Sequence, residues 1–355
     1  MEEQWAQWLM ENGGASIRYR VARELLRETS CMQHLQDHLV NDPQAQLWLT
    51  HLKAMPPIRL NDIHGSGDGQ FENAMAKLLR LGFHAGIPAF DALVAPYLDQ
   101  LAQVSAHAAC QRASFSAIVL SGLLVAAGYR TDALLHHVRG SLAELARYAT
   151  QGRPELYEEE RSTYRGIPPV WRDKPLIKPA LIARYGYCFP LVYDLYALGS
   201  LYGEDRQMDT WIDAILGCVL SEAFHSTVAD GYGILAADHG RYYAMGWDPK
   251  LPGYFDVDDA IEHCPNRMVL YAELLSPLPA ATSTTWYNAV ASHLASLCSQ
   301  DGQVCFPSHY LPETSGYAVT GSHMGLGENR RRRQWRVLES TFVLYRMHSL
   351  SKGNA

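Results

Sequence analysis

The sequence predicts an all-α protein made of antiparallel helix pairs that close into a ring. Apolar residues recur at intervals of three and four along most of the chain, which is the spacing of one helix face. Glycines mark short turns between successive helices, and the pairs recur at roughly 45 to 50 residues. No stretch of more than a few residues alternates between apolar and polar residues as a half-buried strand does.

The composition is that of a globular protein with a large core. Of the 355 residues, 48% are hydrophobic and 19% are charged, and the formal net charge is −7. Proteins that bind nucleic acid normally carry a basic surface, so we expect no nucleic-acid partner. The longest apolar run, 117–127, is too short to span a bilayer, so we expect no integral membrane segment.

The cysteines indicate a reducing environment. There are seven of them, an odd number, and none forms a Cys-x-x-Cys pair. The N-terminus does not resemble a signal peptide. We therefore expect reduced thiols and a cytoplasmic protein.

Residues 1–60 are expected to form a set of N-terminal helices. The first helix ends at Asn12-Gly13-Gly14, because paired glycines favour a turn. Helices then continue to about Lys53 with one break, and Pro56-Pro57 marks a loop.

Residues 60–350 are expected to contain the repeated helix pairs. The turn glycines are Gly82, Gly128 and Gly203, and Asp205 suits a helix start because the helix dipole favours acids there. The predicted pairs are 71–81 with 88–104, 113–127 with 132–148, 191–201 with 205–219 and 265–275 with 284–298, followed by a last helix at 334–349.

Two long irregular segments lie between the later pairs. Segment 150–187 and segment 238–259 are both rich in proline, tyrosine and tryptophan. We predict ordered loops rather than linkers, because so many aromatic rings need burial.

Repeated helix pairs form either an open solenoid or a closed ring. Closure is favoured here by the short chain, by the absence of obvious polar capping repeats, and by the aromatic loops, which would fill one mouth of a ring. We therefore predict a single domain over residues 1–355, an α/α toroid with long aromatic loops at one mouth.

The repeated pattern resembles a known superfamily. It consists of an apolar helix, a glycine turn and a second helix with an aspartate, as at Leu78–Gly82, at Gly128 with Asp132 and at Gly203 with Asp205; Gln300-Asp301-Gly302 adds a further loop motif. This pattern is similar to the α/α-toroid superfamily of squalene–hopene and class II terpenoid cyclases and of protein prenyltransferase β subunits. The tryptophan that follows Gln-Asp-Gly in the cyclases is absent from this chain.

Asp256-Val257-Asp258-Asp259 matches the DxDD motif of the class II cyclases. The resemblance implies that Asp258 is a general acid that protonates an alkene or epoxide, with Asp256 and Asp259 as neighbouring carboxylates and His263 as a supporting partner. Such an acid must be a neutral carboxyl group in a dry pocket. The alternative is that Asp256 only caps a helix whose first turn carries the other two acids.

Further candidates come from the loops, since loops on a rigid scaffold usually carry function. Aromatic side chains could stabilise a cation by their negative faces or line a ligand cavity. The candidate substrate-binding residues are Tyr243, Trp247, Tyr254, His64, Asp68, Asp238, His239, His323 and Glu328.

Three functions fit these residues. The leading hypothesis is a terpenoid-cyclase-like enzyme, or a binder of a bulky and mostly apolar ligand. The second is a carbohydrate-active α/α-barrel enzyme of hydrolase or epimerase type, with a carboxylate pair such as Asp238 and Glu328 as acid and base. The third is a non-catalytic helical-repeat scaffold that binds a protein. The Asp-x-Cys spacing of the prenyltransferase zinc site is absent, so we expect neither a metal nor a cofactor.

Overall fold

The computed structural model describes residues 2–28, 30–53, 58–106, 110–150, 155–237 and 240–353. It is 60% helix and 5% strand, which confirms the all-α prediction. The α-helices of these residues, α1 to α18 in chain order, are Glu2–Asn12, Ala15–Arg20, Met32–Val40, Pro43–His51, Leu60–Ile63, Phe71–Leu81, Pro88–Ala106, Phe115–Ala126, Asp132–Thr150, Pro179–Tyr185, Val192–Leu201, Arg206–Val219, Glu222–Thr227, Val257–His263, Pro265–Leu275, Pro279–Thr282, Thr285–Ser296 and Trp335–Lys352.

The predicted helices begin and end within a few residues of the observed ones, because local signals set their ends. Gly82 follows α6 with φ of 106°, a left-handed conformation that glycine adopts without strain. The carboxylate of Asp205 caps α12 by accepting hydrogen bonds from the backbone N–H groups of Gln207 and Met208.

Six helices contact one another in a closed circuit. In order, α2 contacts α6, α6 contacts α8, α8 contacts α11, α11 contacts α15, α15 contacts α18, and α18 contacts α2. Helices α6, α8, α11 and α15 are buried on nearly all sides, and we call them the inner helices. The outer helices α9 and α12 pack against each other and keep exposed faces. The N-terminal segment therefore supplies one member of the circuit, between the last helix and α6.

A small sheet was not predicted from the sequence. Its strands are β1 (Leu176–Ile177), β2 (Gly233–Ala237) and β3 (Arg241–Met245), with β2 parallel to β1 and antiparallel to β3. A β-carbon on Gly233 would lie 2.1 Å from the carbonyl oxygen of Pro175, so only glycine permits this close pairing. Because the strands have two to five residues, their alternation is too short to recognise in the sequence.

A buried ion pair links the outer and inner helices on one side. Arg112 is fully buried, and its guanidinium donates to both carboxylate oxygens of Asp194 at 2.8 and 2.9 Å. It also donates to the hydroxyl of Ser141 in α9 and to the carbonyl of Phe189. Asp194 in turn accepts from the N–H of Leu191 at the start of α11, so one cation orders three segments.

We expect the substitution Arg112→Met to lower the free energy of unfolding by about 3–5 kcal/mol, because it leaves the Asp194 carboxylate buried without its partner. Urea denaturation measures this loss. The matched control is Arg139→Met, since the pair of Arg139 with Asp205 lies on the surface and contributes little. Equal losses in the two variants would contradict the structural role of Arg112.

Candidate functional site

The aspartate cluster lies on the surface. Asp256 is the N-cap of α14 and accepts a hydrogen bond from the N–H of Asp258 at 3.1 Å, as the capping interpretation predicts. Asp258 and Asp259 are exposed, and His263 pairs with Asp259 at 3.2 Å with both side chains about two-thirds exposed, at 64% and 66%.

The expectation of a dry pocket around the cluster is therefore wrong. Asp258 lies at an open depression of about 710 Å³ that also includes Tyr254 and Trp286. Asp256, Asp258 and Asp259 are all exposed to water, so the cluster lacks the enclosure that protonation of an alkene requires. The general-acid role of Asp258 stays a sequence-based prediction without the enclosure that it requires.

Other predicted ligand-binding residues have separate surroundings. The ring of Tyr254 stacks on His225 at 3.7 Å, and Tyr243 is exposed on β3. Glu328 accepts a hydrogen bond from the N–H of Gly14, and burial raises the pKa of its carboxyl group. Asp238 and His239 lie outside the described residues.

Asp68 and His323 lie close together beside the loop that contains Gly316. The His323 Nε2 lies 3.7 Å from the Asp68 carboxylate and 3.2 Å from the carbonyl oxygen of Gly316. Burial lowers the pKa of His323 below its ordinary value. His323 is therefore neutral at pH 7, and it holds this loop through its hydrogen bond to Gly316, because Asp68 is too far away for a hydrogen bond.

The structure brings two predicted residues, His64 and Trp247, into direct contact. Their rings are perpendicular, with centroids 4.4 Å apart. Two further rings complete the wall around His64: Phe115 is perpendicular to it at 5.0 Å, and Tyr317 stacks on it at 5.3 Å. We call these four residues, together with Glu72 and Tyr193, the His64 cluster.

The cluster forms where three neighbouring inner helices begin. Glu72 is the second residue of α6, Phe115 the first of α8 and Tyr193 the second of α11. The carbonyl oxygen of Trp247 accepts from the N–H of Val192, the first residue of α11, at 2.8 Å. Residues far apart in the sequence therefore meet at one end of the helix circuit.

Asn73 holds the two loops that carry His64 and Tyr317. Its side-chain N–H groups donate to the carbonyls of Gly65 and Gly67 at 2.8 and 2.9 Å. Its side-chain oxygen accepts from the N–H of Ala318 at 2.8 Å. Because Asn73 is fully buried on α6, a rigid helix fixes the positions of both loops.

Glu72 is the buried centre of the cluster. Its side chain is not exposed at all, and its carboxylate lies 2.8 Å from the Nδ1 of His64 and 2.8 Å from the N–H of Gly65. The hydroxyl of Tyr193 donates a hydrogen bond to the second carboxylate oxygen. Burial and the nearby Glu72 raise the pKa of Tyr193 well above its ordinary value, so the hydroxyl stays protonated.

This arrangement orients the imidazole of His64. A carboxylate beside Nδ1 favours the tautomer with a proton on Nδ1, which leaves Nε2 as the basic nitrogen. The side chain of His64 is 17% exposed, so the ring is held from one side and still reaches solvent. Nε2 is therefore the nitrogen through which His64 can accept a proton.

Sequence analysis missed four members of the cluster, Glu72, Phe115, Tyr193 and Tyr317. Three of them stand among the first three residues of a predicted helix that follows a loop, and this is the one signal that the sequence contained. Glu72 comes three residues after Gly69, the last glycine of the glycine-rich loop that begins at His64. The pairing of these positions across helices depends on the tertiary structure.

We expect Tyr193→Phe to lower the free energy of unfolding by about 1–3 kcal/mol, because the buried Glu72 carboxylate loses a hydrogen-bond donor that water cannot replace. Thermal and urea denaturation measure the loss. The control is Tyr243→Phe, which removes the same hydroxyl from an exposed ring on β3. If Tyr193→Phe is as stable as this control, the hydrogen bond between Tyr193 and Glu72 does not stabilise the fold.

The described residues contain no group of three or more His, Cys, Asp and Glu side chains arranged to hold a metal ion. None of the helices in the described ranges is long and apolar enough to cross a membrane. Comparison of the chain with models of protein families, with curated proteins and with solved structures found no match in any of the three.

Proposed function

We propose that the chain is an enzyme that performs acid–base chemistry on a carbohydrate at the His64 cluster. In this proposal His64 is the general base, Glu72 orients it, and the rings of Trp247 and Tyr317 bind the sugar. The proposal develops the carbohydrate hypothesis from the sequence, with different residues in the catalytic roles.

One observation carries the proposal, the 2.8 Å contact between the buried Glu72 carboxylate and the Nδ1 of His64. A histidine that a buried carboxylate orients in this way is the arrangement found in enzymes that use His as a general base. A purely structural histidine in a core has no need of a solvent-facing nitrogen. Here the opposite side of the ring faces a partly exposed aromatic wall.

The aromatic wall favours a sugar over a purely apolar ligand. Trp247, Tyr317 and Phe115 are each partly exposed, and their flat faces can stack on the apolar faces of a sugar ring. The hydroxyl groups at the edge of the sugar can then hydrogen-bond to His64. An isoprenoid chain would cover the basic nitrogen of His64 without providing a partner, which costs free energy.

We also propose that the closed circuit of α2, α6, α8, α11, α15 and α18 is the inner ring of an α/α toroid. The His64 cluster then lies at the mouth formed by the N-terminal ends of the inner helices. The contacts between successive circuit members support this interpretation. In this arrangement the aromatic loops line the mouth, as the sequence suggested.

The test uses His64→Gln, which keeps a polar side chain beside Glu72 but removes the base. For an oligosaccharide that the wild-type protein converts, we expect the rate to fall by about 10²–10⁴-fold, the usual contribution of a general base. The matched control is His263→Gln, which alters the exposed histidine–carboxylate pair on α14 and should leave the rate unchanged. Trp247→Ala should weaken oligosaccharide binding in a thermal-shift titration.

Two outcomes would contradict the proposal. One is an unchanged rate in His64→Gln. The other is stabilisation by polyprenyl diphosphates alone that disappears in Asp258→Asn, which would assign the function to the aspartate cluster. We expect Asp258→Asn to keep the carbohydrate activity, because Asp258 is exposed and belongs to a different site.

A further inference from the structure

A cavity of about 460 Å³ is bounded by members of the helix circuit, and its lining combines apolar side chains with a group of arginines and glutamates. It is bounded by the C-terminal halves of α6, α11, α15 and α18 and by the N-terminal segment, which continues from α2 into a π-helical turn at Val21–Leu25. The ionisable side chains that line it are Arg20, Arg23, Glu24, Lys77, Arg80, His84, Tyr196, Glu273, His323 and Arg346.

Three arginines surround one carboxylate in this cavity. Glu24 lies 2.8 Å from the Nε of Arg20, 2.6 Å from the Nη2 of Arg23 and 2.6 Å from the Nε of Arg346. Burial acts to raise the pKa of Glu24, but the three guanidinium groups outweigh it and hold the pKa well below its ordinary value. Glu24 is therefore ionised at neutral pH and offsets one positive charge of the three.

One nitrogen of the Arg80 guanidinium group has no hydrogen-bond partner among the described residues. Its Nη1 lies 2.6 Å from the Glu273 carboxylate, and its Nε donates to the carbonyl oxygen of Met324. Its Nη2 is buried and has no hydrogen-bond partner among the described residues. The whole side chain is only 10% exposed. Arg346 approaches the same Glu273 at 3.9 Å, too far for a hydrogen bond.

The other ionisable groups do not balance these charges. Lys77 is already paired with Glu313 at 2.6 Å. Burial lowers the pKa of both His84 and His323, so both are neutral at pH 7. Burial also raises the pKa of Tyr196 above its ordinary value, so it too is uncharged.

Arginine charge in the cavity thus exceeds carboxylate charge. Four arginines line the cavity (Arg20, Arg23, Arg80 and Arg346), whereas its lining residues include two carboxylates, those of Glu24 and Glu273. Burial lowers the pKa of Arg20 to about 10, which still leaves it charged at neutral pH. A buried excess of positive charge is costly unless an anion compensates it.

We infer that this cavity binds a doubly charged oxyanion of the phosphate type, either free or as part of a small phosphorylated molecule. The site is separate from the His64 cluster and does not depend on the proposed function. A phosphate offers several acceptor oxygens to planar guanidinium forks, and four arginines line this cavity. Two negative charges match the excess of two arginines over the carboxylates.

The test begins with inorganic phosphate added to the wild-type protein. At about 100 times its dissociation constant, phosphate should raise Tm by about 3–5 °C relative to sodium chloride at the same ionic strength. A second arm replaces phosphate with a sugar phosphate. Tighter binding of the sugar phosphate identifies an organic ligand, and equal or weaker binding identifies the free anion.

Arg80→Lys tests the geometry, since it keeps the charge but loses the guanidinium fork. We expect it to weaken phosphate binding by about tenfold or more in calorimetric titration, as for loss of a charge-assisted hydrogen bond. Arg139→Lys, on the outer surface, is the matched control and should bind as the wild type does.

A second variant keeps the inference testable if Arg80→Lys does not fold. Arg23 is 30% exposed and lines the same cavity, so Arg23→Gln removes one positive charge with less disturbance of the core. It should also weaken binding by about tenfold. The inference is overturned if wild-type protein shows no stabilisation beyond that of chloride, or if each folded variant binds phosphate as tightly as Arg139→Lys.

Discussion

The carboxylate of Glu24, held by arginines from both ends of the chain, is the interaction on which the closed helix circuit depends. Arg20 and Arg23 precede it in the N-terminal segment, whereas Arg346 belongs to α18. Charges buried in this way stabilise only when each finds its partner in good geometry. Contact between the N-terminal segment and α18 completes those pairs, and the same residues line the arginine-rich cavity.

The inner helices contribute side chains to two candidate sites at different positions along their length. Near their N-termini, Glu72 and Tyr193 hold His64 beneath a wall of aromatic rings. One turn further along, Ala76 and Tyr196 already line the arginine-rich cavity. Because a helical turn advances only about 5.4 Å, the two candidate sites are neighbours along α6 and α11. A rigid and mostly buried set of helices can hold both sites in fixed positions.

The candidate site was predictable in part. His64 and Trp247 follow from the rule that polar and aromatic loop residues on a helical scaffold carry function. The aspartate motif at Asp256 gave a stronger sequence signal, yet its side chains are exposed and one of them caps a helix. Three acids at a helix start fit both a catalytic motif and a helix cap. Only the burial of their side chains distinguishes these two interpretations. Glu72 had no distinguishing motif, although it is the buried centre of the His64 cluster.

By itself the sequence determined the longer helices and their ends, because these depend on apolar spacing and on local groups such as Gly82 and the Asp205 cap. It also determined that the large core would be helical. The short helix α10 lies in a segment that was predicted to be a loop. Tertiary structure alone decided which residues meet: the pairing of β1 with β2, the partner of Arg112, and the contact of Glu72 with His64 and Tyr193. These contacts join residues that are distant in sequence or separated by irregular loops, so their formation depends on packing of the whole chain rather than on local preference.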